Sequence, residues 1–231
     1  MEKRRVKVWD VPTMLFHWLL VLLTIAACAT GFLGGNLIEV HGQLGLAITG
    51  LLVFRLVWGV IGSTYARFTQ FIPGPARVFA YLRGQWHGLG HNPLGAFSVL
   101  GLLALMLFQV GSGLVSDDNI AFTGPLKALV NQSTADQFTG LHKLNTWLII
   151  GLVSLHTLSV IFYFVVKKNN LLTPMFTGHK TVDDPALESA RGGGLLPFVL
   201  AVLVAAAVTW AASGGLNPAP LPPPPQAAPA W

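Results

Sequence analysis

Five apolar runs separated by polar segments set the architecture of this chain. The first spans about Val11 to Gly34, the second about Glu39 to Ile61 and the third about Pro93 to Val115. The fourth covers 141–168 and the fifth about Leu195 to Ala212. Each is close to the ~20 residues that an α-helix needs to cross the ~30 Å hydrocarbon core of a bilayer. The third opens on Asn92-Pro93, an N-cap residue followed by proline at the first helical position. Between the runs, 62–92 is polar and basic with paired Gly and Pro. Residues 116–140 read as a loop with a short interfacial helix over Pro125 to Val130, and 169–194 as a polar connection ending in three glycines. The sequence NPAPLPPPPQAAPAW at the end has the composition of extended or disordered chain. The expected fold is an all-α membrane protein. It comprises four transmembrane helices within 1–180, a polar linker and fifth transmembrane helix over 181–213, and an irregular tail over 214–231.

Composition strengthens the membrane assignment. Of 231 residues, 53% are hydrophobic and 10% charged, with a mean hydropathy of +0.62; soluble domains carry about a quarter charged residues. The net charge of +5 does not point to nucleic acid, because the basic residues are segregated along the chain. Eleven of the 14 Lys and Arg lie before the first run, between the second and third, or between the cores of the fourth and fifth. Only Lys127 and Lys143 fall on the opposite side, and Arg55 lies within a run. The positive-inside rule therefore predicts a cytoplasmic N-terminus and, with five crossings, a C-terminus on the outside. The first run also has features of a signal peptide, and Ile25-Ala26-Ala27-Cys28 is similar to a lipoprotein cleavage box. It includes His17 and Trp18 and continues past Cys28, so it is read as a retained span. Cys28 is the single cysteine, which excludes an internal disulfide, and no CxxCH signature for covalent haem attachment is present.

The histidines change the picture from anchor to cofactor site. The fourth run carries His142 and His156, fourteen residues apart. Fourteen helical steps fall only about 40° short of four turns and rise about 21 Å, so both imidazoles share one face, one towards each side of the membrane. Neutral imidazole is a good iron ligand, and two at this spacing suggest two stacked cofactors. With the predicted orientation, His17 lies at the inner level and His41 at the outer. The levels pair His17 with His156 and His41 with His142, each pair placed to clamp one haem iron. The same step of fourteen leads from His41 to Arg55, whose guanidinium would face the inner haem and pair with a propionate, or else snorkel to the interface. From His17 it leads to Gly31, where a missing side chain would let a flat macrocycle approach the backbone. Thr13, Thr24 and Thr49 are available hydroxyls for the second ring nitrogens. His87 and His91 belong to the cytoplasmic connection; they are read as solvated, with proton delivery to a quinone as the sharper alternative. His179 is read as a solvated loop residue.

The residues that carry a family resemblance are WDVPTMLFHW, the VHGQLG opening of the second run with FRLVWGVIGSTYARF after it, GHNPLGA, LHKLNTW…LHTLSV and NNLLTPMFTGHK. With these motifs the chain resembles the bacterial diheme cytochrome b family, which includes stand-alone quinone-linked cytochromes and the cytochrome b subunits of nickel-iron hydrogenases and formate dehydrogenases. The resemblance covers residues 6 to about 180. It implies a four-helix haem-binding bundle with two b haems, ligated by His17, His41, His142 and His156, and a quinone site near one haem. It also implies electron flow between ubiquinone or menaquinone and a periplasmic cytochrome c or peripheral dehydrogenase subunit. No iron–sulfur or nickel ligand set is present in the chain, so any hydrogenase or dehydrogenase chemistry would belong to another subunit.

Bis-histidine iron has no vacant axial position, which favours electron relay over oxygen binding. The first reading is thus an electron-transfer cytochrome b of the respiratory chain. The outer loops hold Asp117, Asp118 and Asp136 against Lys127, a balance that suits a basic partner. A variant has the protein act alone as an oxidoreductase, with superoxide reacting at the outer haem edge. Two readings from other classes are a metal or solute transporter built on intramembrane histidines and an anchor whose histidines merely pack. A transporter would gather its histidines at one midplane site, whereas these fall at two levels.

Overall fold

Each apolar run becomes a helix, and three of the five start where a side chain satisfies a free backbone amide. The computed structural model describes residues 3–86 and 88–217; His87 and the residues beyond Asn217, including most of the proline-rich tail, lie outside the described residues. Helix α1 (Val11–Leu33) follows the strand β1 (Arg4–Lys7) and is capped by Asp10, which accepts the Thr13 N–H at 2.7 Å. Helix α2 (Ile38–Ile61) is followed by two short helices, α3 (Phe68–Phe71) and α4 (Pro75–Leu82). Helix α5 (Pro93–Val115) begins as the Asn-Pro signal predicts, with Asn92 accepting from Gly95 N at 2.7 Å.

The fourth span is longer than its apolar run. Helix α6 (Gln132–Val165) starts nine residues ahead of Leu141, so 132–140 are helical rather than loop. Asn131 caps it by accepting from Thr134 N at 2.8 Å, and Ala135 is fully buried, so a polar stretch is drawn into helix by its cap and one packing contact. The interfacial helix expected over Pro125 to Val130 is a single 3₁₀ turn at Lys127–Leu129.

Beyond α6, the connection contains helix α7 (Leu172–Thr177) and strand β2 (His179–Val182). β2 pairs antiparallel with β1, with Arg4 opposite Val182 and Lys7 opposite His179. This two-stranded sheet is the one departure from an all-α fold among the described residues. Val6, Val8, Trp9 and Val182 are buried beneath it. Gly178 turns the chain into β2 with φ at +74°, and its carbonyl accepts from both Val8 N (2.8 Å) and Trp9 N (3.1 Å). A Cβ at Gly178 would lie 2.7 Å from the Trp9 carbonyl oxygen, so only glycine fits.

Helix α8 (Leu195–Trp210) forms the fifth span, long and apolar enough with its C-terminal extension to cross a membrane, as are the other four. The helices pack in the order α1 on α2, α2 on α5 and α5 on α6, with α8 also against α2. Ala201 and Ala205 bring α8 close, and Phe198 meets Phe54 and Trp58 edge-on at 5.9 and 6.3 Å. The fifth span is thus part of the packed bundle and not a detached anchor. The outward faces of these helices are lined with exposed Leu, Ile, Val and Phe, as lipid contact requires.

Candidate functional site

At the outer level, α2 and α6 bring His41 and His142 together with ring centroids 5.9 Å apart and planes inclined at 86°. His41 Nδ1–H donates to the Ala27 carbonyl of α1 at 2.8 Å. His142 Nδ1–H donates to the Gln109 carbonyl of α5 at 3.0 Å. A carbonyl only accepts, so both rings carry the proton on Nδ1 and keep the Nε2 lone pair for another partner. In this structure the His142 Nε2 accepts from the Gln109 side-chain amide at 3.1 Å. That amide also donates to Thr146 Oγ1 (2.9 Å), and its oxygen accepts from Asn145 Nδ2 (2.8 Å). The two rings border a cavity of about 660 Å³, within the range of small-molecule and cofactor sites.

Two glycines make room for these rings. A Cβ at Gly31 would lie 3.0 Å from His41 Cε1 and Nδ1, and one at Gly113 would lie 3.0 Å from His142 Cε1. Gly31 does line the outer cavity, as expected from the step of fourteen, but the space its side chain would take holds the His41 ring itself.

The inner level gathers residues of α1, α2, α6 and the segment before α5. His17 and His156 lie within electrostatic reach of one another. His156 Nδ1 is 3.4 Å from Ser98 Oγ, and His17 Nδ1 is buried without a partner among the described residues. Arg55 does not snorkel: it is 3% exposed, with its guanidinium carbon 4.8 Å from the Phe68 ring centroid, 5.8 Å from Phe71 and 6.0 Å from Phe16. Its Nη1 has no hydrogen-bond partner among the described residues.

His91 corrects the solvated-loop reading. Its ring lies 4.8 Å from both Trp9 and Phe71, and its Nδ1 is buried without a partner among the described residues. Burial, then the nearby Arg55, His156 and His17, pushes its pKa down to about 3, so it is neutral. His179, by contrast, lies in β2 and donates Nδ1–H to Thr177 O at 2.7 Å.

The hydroxyls expected to orient the ligand rings do not do so. Thr49 Oγ1 bonds back to Gly45 O at 2.9 Å, and Thr13 Oγ1 has no partner. The orienting groups are instead the Ala27 and Gln109 carbonyls and Ser98, with Ser112 Oγ 3.2 Å from His142 Nδ1. Main-chain carbonyls carry no sequence signal. Ser98, Gln109 and Ser112 do, as sparse polar residues in an otherwise apolar third run.

Among the described residues no three His, Cys, Asp or Glu converge to hold a metal ion. A metal between His41 and His142 must then bring the rest of its coordination sphere, as porphyrin iron does. The donor set, the Nδ1–H tautomers and the cavity volume fit a haem at the outer level, and the orphaned polar atoms of His17 and Arg55 fit one at the inner level. The fold and site define a membrane-embedded helical bundle built for a b-type haem. The model of the prokaryotic cytochrome b561 family matches residues 8–178, and the chain belongs to that family. It is a multi-pass membrane protein that transfers electrons as a b-type cytochrome.

Curated relatives agree. The chain is 22% identical over 213 residues to a probable Ni/Fe-hydrogenase 1 B-type cytochrome subunit of Escherichia coli (strain K12), covering 75% of this chain and 90% of that one. It is 19% identical over 222 residues to a probable Ni/Fe-hydrogenase B-type cytochrome subunit of Rhizobium leguminosarum bv. viciae (79% and 92% covered). A Rhodobacter capsulatus protein of the same description is 22% identical over 227 residues (81% and 86% covered). No solved structure matches the chain.

Proposed function

We propose that the chain holds two bis-histidine b haems, an inner one on His17 and His156 and an outer one on His41 and His142. It passes electrons between a membrane quinone, ubiquinone or menaquinone, and a peripheral redox partner. The observation that carries this reading is the outer pair: two imidazoles on separate helices, 5.9 Å apart, each with Nδ1–H tied to a main-chain carbonyl beside one cavity. Haem so held supplies reversible one-electron transfer with both axial positions filled. The protein's part is to fix ring tautomers, exclude lipid and water, and hold the two levels about 21 Å apart along α6.

Residues 1–180 form the diheme unit in this reading, followed by a linker with α8 over 181–213 and the tail over 214–231. The positive-inside bias puts the N-terminus in the cytoplasm and the outer haem towards the periplasm. The names of the relatives support a hydrogenase-type peripheral subunit as the partner, with a basic periplasmic cytochrome c as the other choice. Lys143, which lines the outer cavity, favours one variant: a small anion such as superoxide reacting at the outer haem edge. Quinone reduction driven by superoxide, compared with reduced cytochrome c, separates the two. A transporter finds no support in the family or in histidines that gather at two depths.

The deciding experiment is a reduced-minus-oxidised spectrum of the purified protein with haem quantified per chain. Two b haems are expected, with His41→Ala and His17→Ala each removing a different one. One haem per chain, or loss of the same haem in both variants, would break the pairing.

A further inference from the structure

The inner end of the bundle is short of negative charge. Arg55 is almost wholly buried, and a guanidinium stays protonated even there. Leaving such a cation unpaired in a low-dielectric interior is strongly unfavourable. No carboxylate lies within ion-pair distance of it among the described residues. The nearest acid, Asp10, is already committed: Oδ1 accepts from Thr13 N at 2.7 Å and Oδ2 from Trp58 Nε1 at 3.0 Å.

His91 stands beside this cation with the same deficit. The Phe71 ring is shared, 5.8 Å from the Arg55 guanidinium carbon and 4.8 Å from the His91 ring, with Trp9 also 4.8 Å from His91. Two aromatic rings thus fix the imidazole in place while its Nδ1 remains buried and, among the described residues, unpartnered. The charged and titratable groups in reach are Arg55, His156 and His17, none of them an anion. Two orphaned nitrogens on one aromatic wall, one on a fixed cation and one on an imidazole able to carry its proton there, match the two oxygens of a carboxylate.

We propose that Arg55 and His91 are the two arms of a carboxylate receptor at the inner level, and that they take the propionates of the inner haem. This rests on the two-haem reading and adds a specific chemical demand: the inner site selects a porphyrin by its acid groups as well as its iron. Arg55 supplies the charge. His91, neutral by burial, supplies a directed N–H and needs no proton from solution.

The test is porphyrin titration followed by Soret absorbance, using the full-length haem-free chain in detergent. Ferric protoporphyrin IX is compared with its dimethyl ester in wild type and in a chain carrying His41→Ala and His142→Ala, so that only the inner pair remains. The free acid should bind the inner pair at least about tenfold more tightly than the ester, the scale of one charge-assisted hydrogen bond. The ratio should fall towards one in Arg55→Gln and in His91→Phe, which keeps the aromatic sandwich, and persist in part in Arg55→Lys. Equal binding of acid and ester by wild type would overturn the receptor while leaving the haem site standing, as would a ratio unmoved by both variants. Failure of the inner pair to bind either porphyrin would overturn the two-haem reading and the receptor with it.

Discussion

Gly31 and His41 show how tightly single positions control the outer site. The Ala27 carbonyl holds the His41 ring by Nδ1, so the ring has little freedom to retreat from anything placed at Gly31. Gly31→Ala puts a methyl 3.0 Å from two ring atoms, a crowding that a shift of a few tenths of an ångström relieves. Both haems should then be retained, with a moved midpoint potential for the outer one. Gly31→Leu has no such relief and should leave one haem per chain, measured by the reduced spectrum and haem quantification; two haems with unchanged potentials would show the contact to be slack. The meeting of His41 with His142 was legible because the spacing of the histidines is a property of the sequence. Their orienting groups were not, because two of them are main-chain carbonyls, which any residue carries. His91 was misread for a related reason: Trp9 and Phe71 enclose it only when segments far apart in the chain meet.

Among the elements, the apolar runs foretold four of the five long helices closely, since lipid contact leaves a long hydrophobic signature. The start of α6 was missed because Asn131 and Ala135 draw a polar stretch into helix without any apolar pattern. The sheet was missed because each strand has four residues and its partner lies more than 170 positions away. The role of α8 was likewise hidden, since small residues in an apolar run do not announce which helix they face. Ala201 is fully buried, and a Cβ at Gly50 of α2 would lie 2.9 Å from Thr209 Oγ1, so the α2–α8 seam has no room to spare. Ala201→Leu should destabilise the bundle by about 1–3 kcal/mol. A lower melting temperature in detergent at unchanged haem content is the expected result. An unchanged melting temperature would mean that α8 yields freely.

Across the whole molecule, the two ends of the family-matching region close on each other. Trp18 Nε1 donates to Met175 O at 3.0 Å and stacks on Phe176 at 4.4 Å, while β1 pairs with β2. Ala190 N adds a bond to Lys7 O at 2.7 Å, and Thr64 N one to Arg191 O at 2.9 Å. This cap sits over the inner histidines and supplies Trp9 and Asp10 to their surroundings. Val6 is 1% exposed beneath it, so Val6→Asp would bury a carboxylate without a partner, at a cost of several kcal/mol. The variant should become sensitive to limited proteolysis over 183–193 and lose the inner haem in a redox titration while keeping the outer one. Equal loss of both haems would show that the cap serves general folding instead.

The pairing of Arg4 with Val182 also imposes an order on biogenesis. A ribosome adding ~5–20 residues per second needs on the order of ten to thirty-five seconds between making the first strand and its mate. During that interval the leading segment waits without its partner at the membrane surface, and the chamber beneath it stays unroofed. The outer cavity is lined by α1, α2, α5, α6 and the segments that join them, all of which precede β2 in the chain, so its walls are made first. In the two-haem proposal, seating of the inner haem is therefore the late step of assembly, sealed by the last stretch of chain to reach the cap.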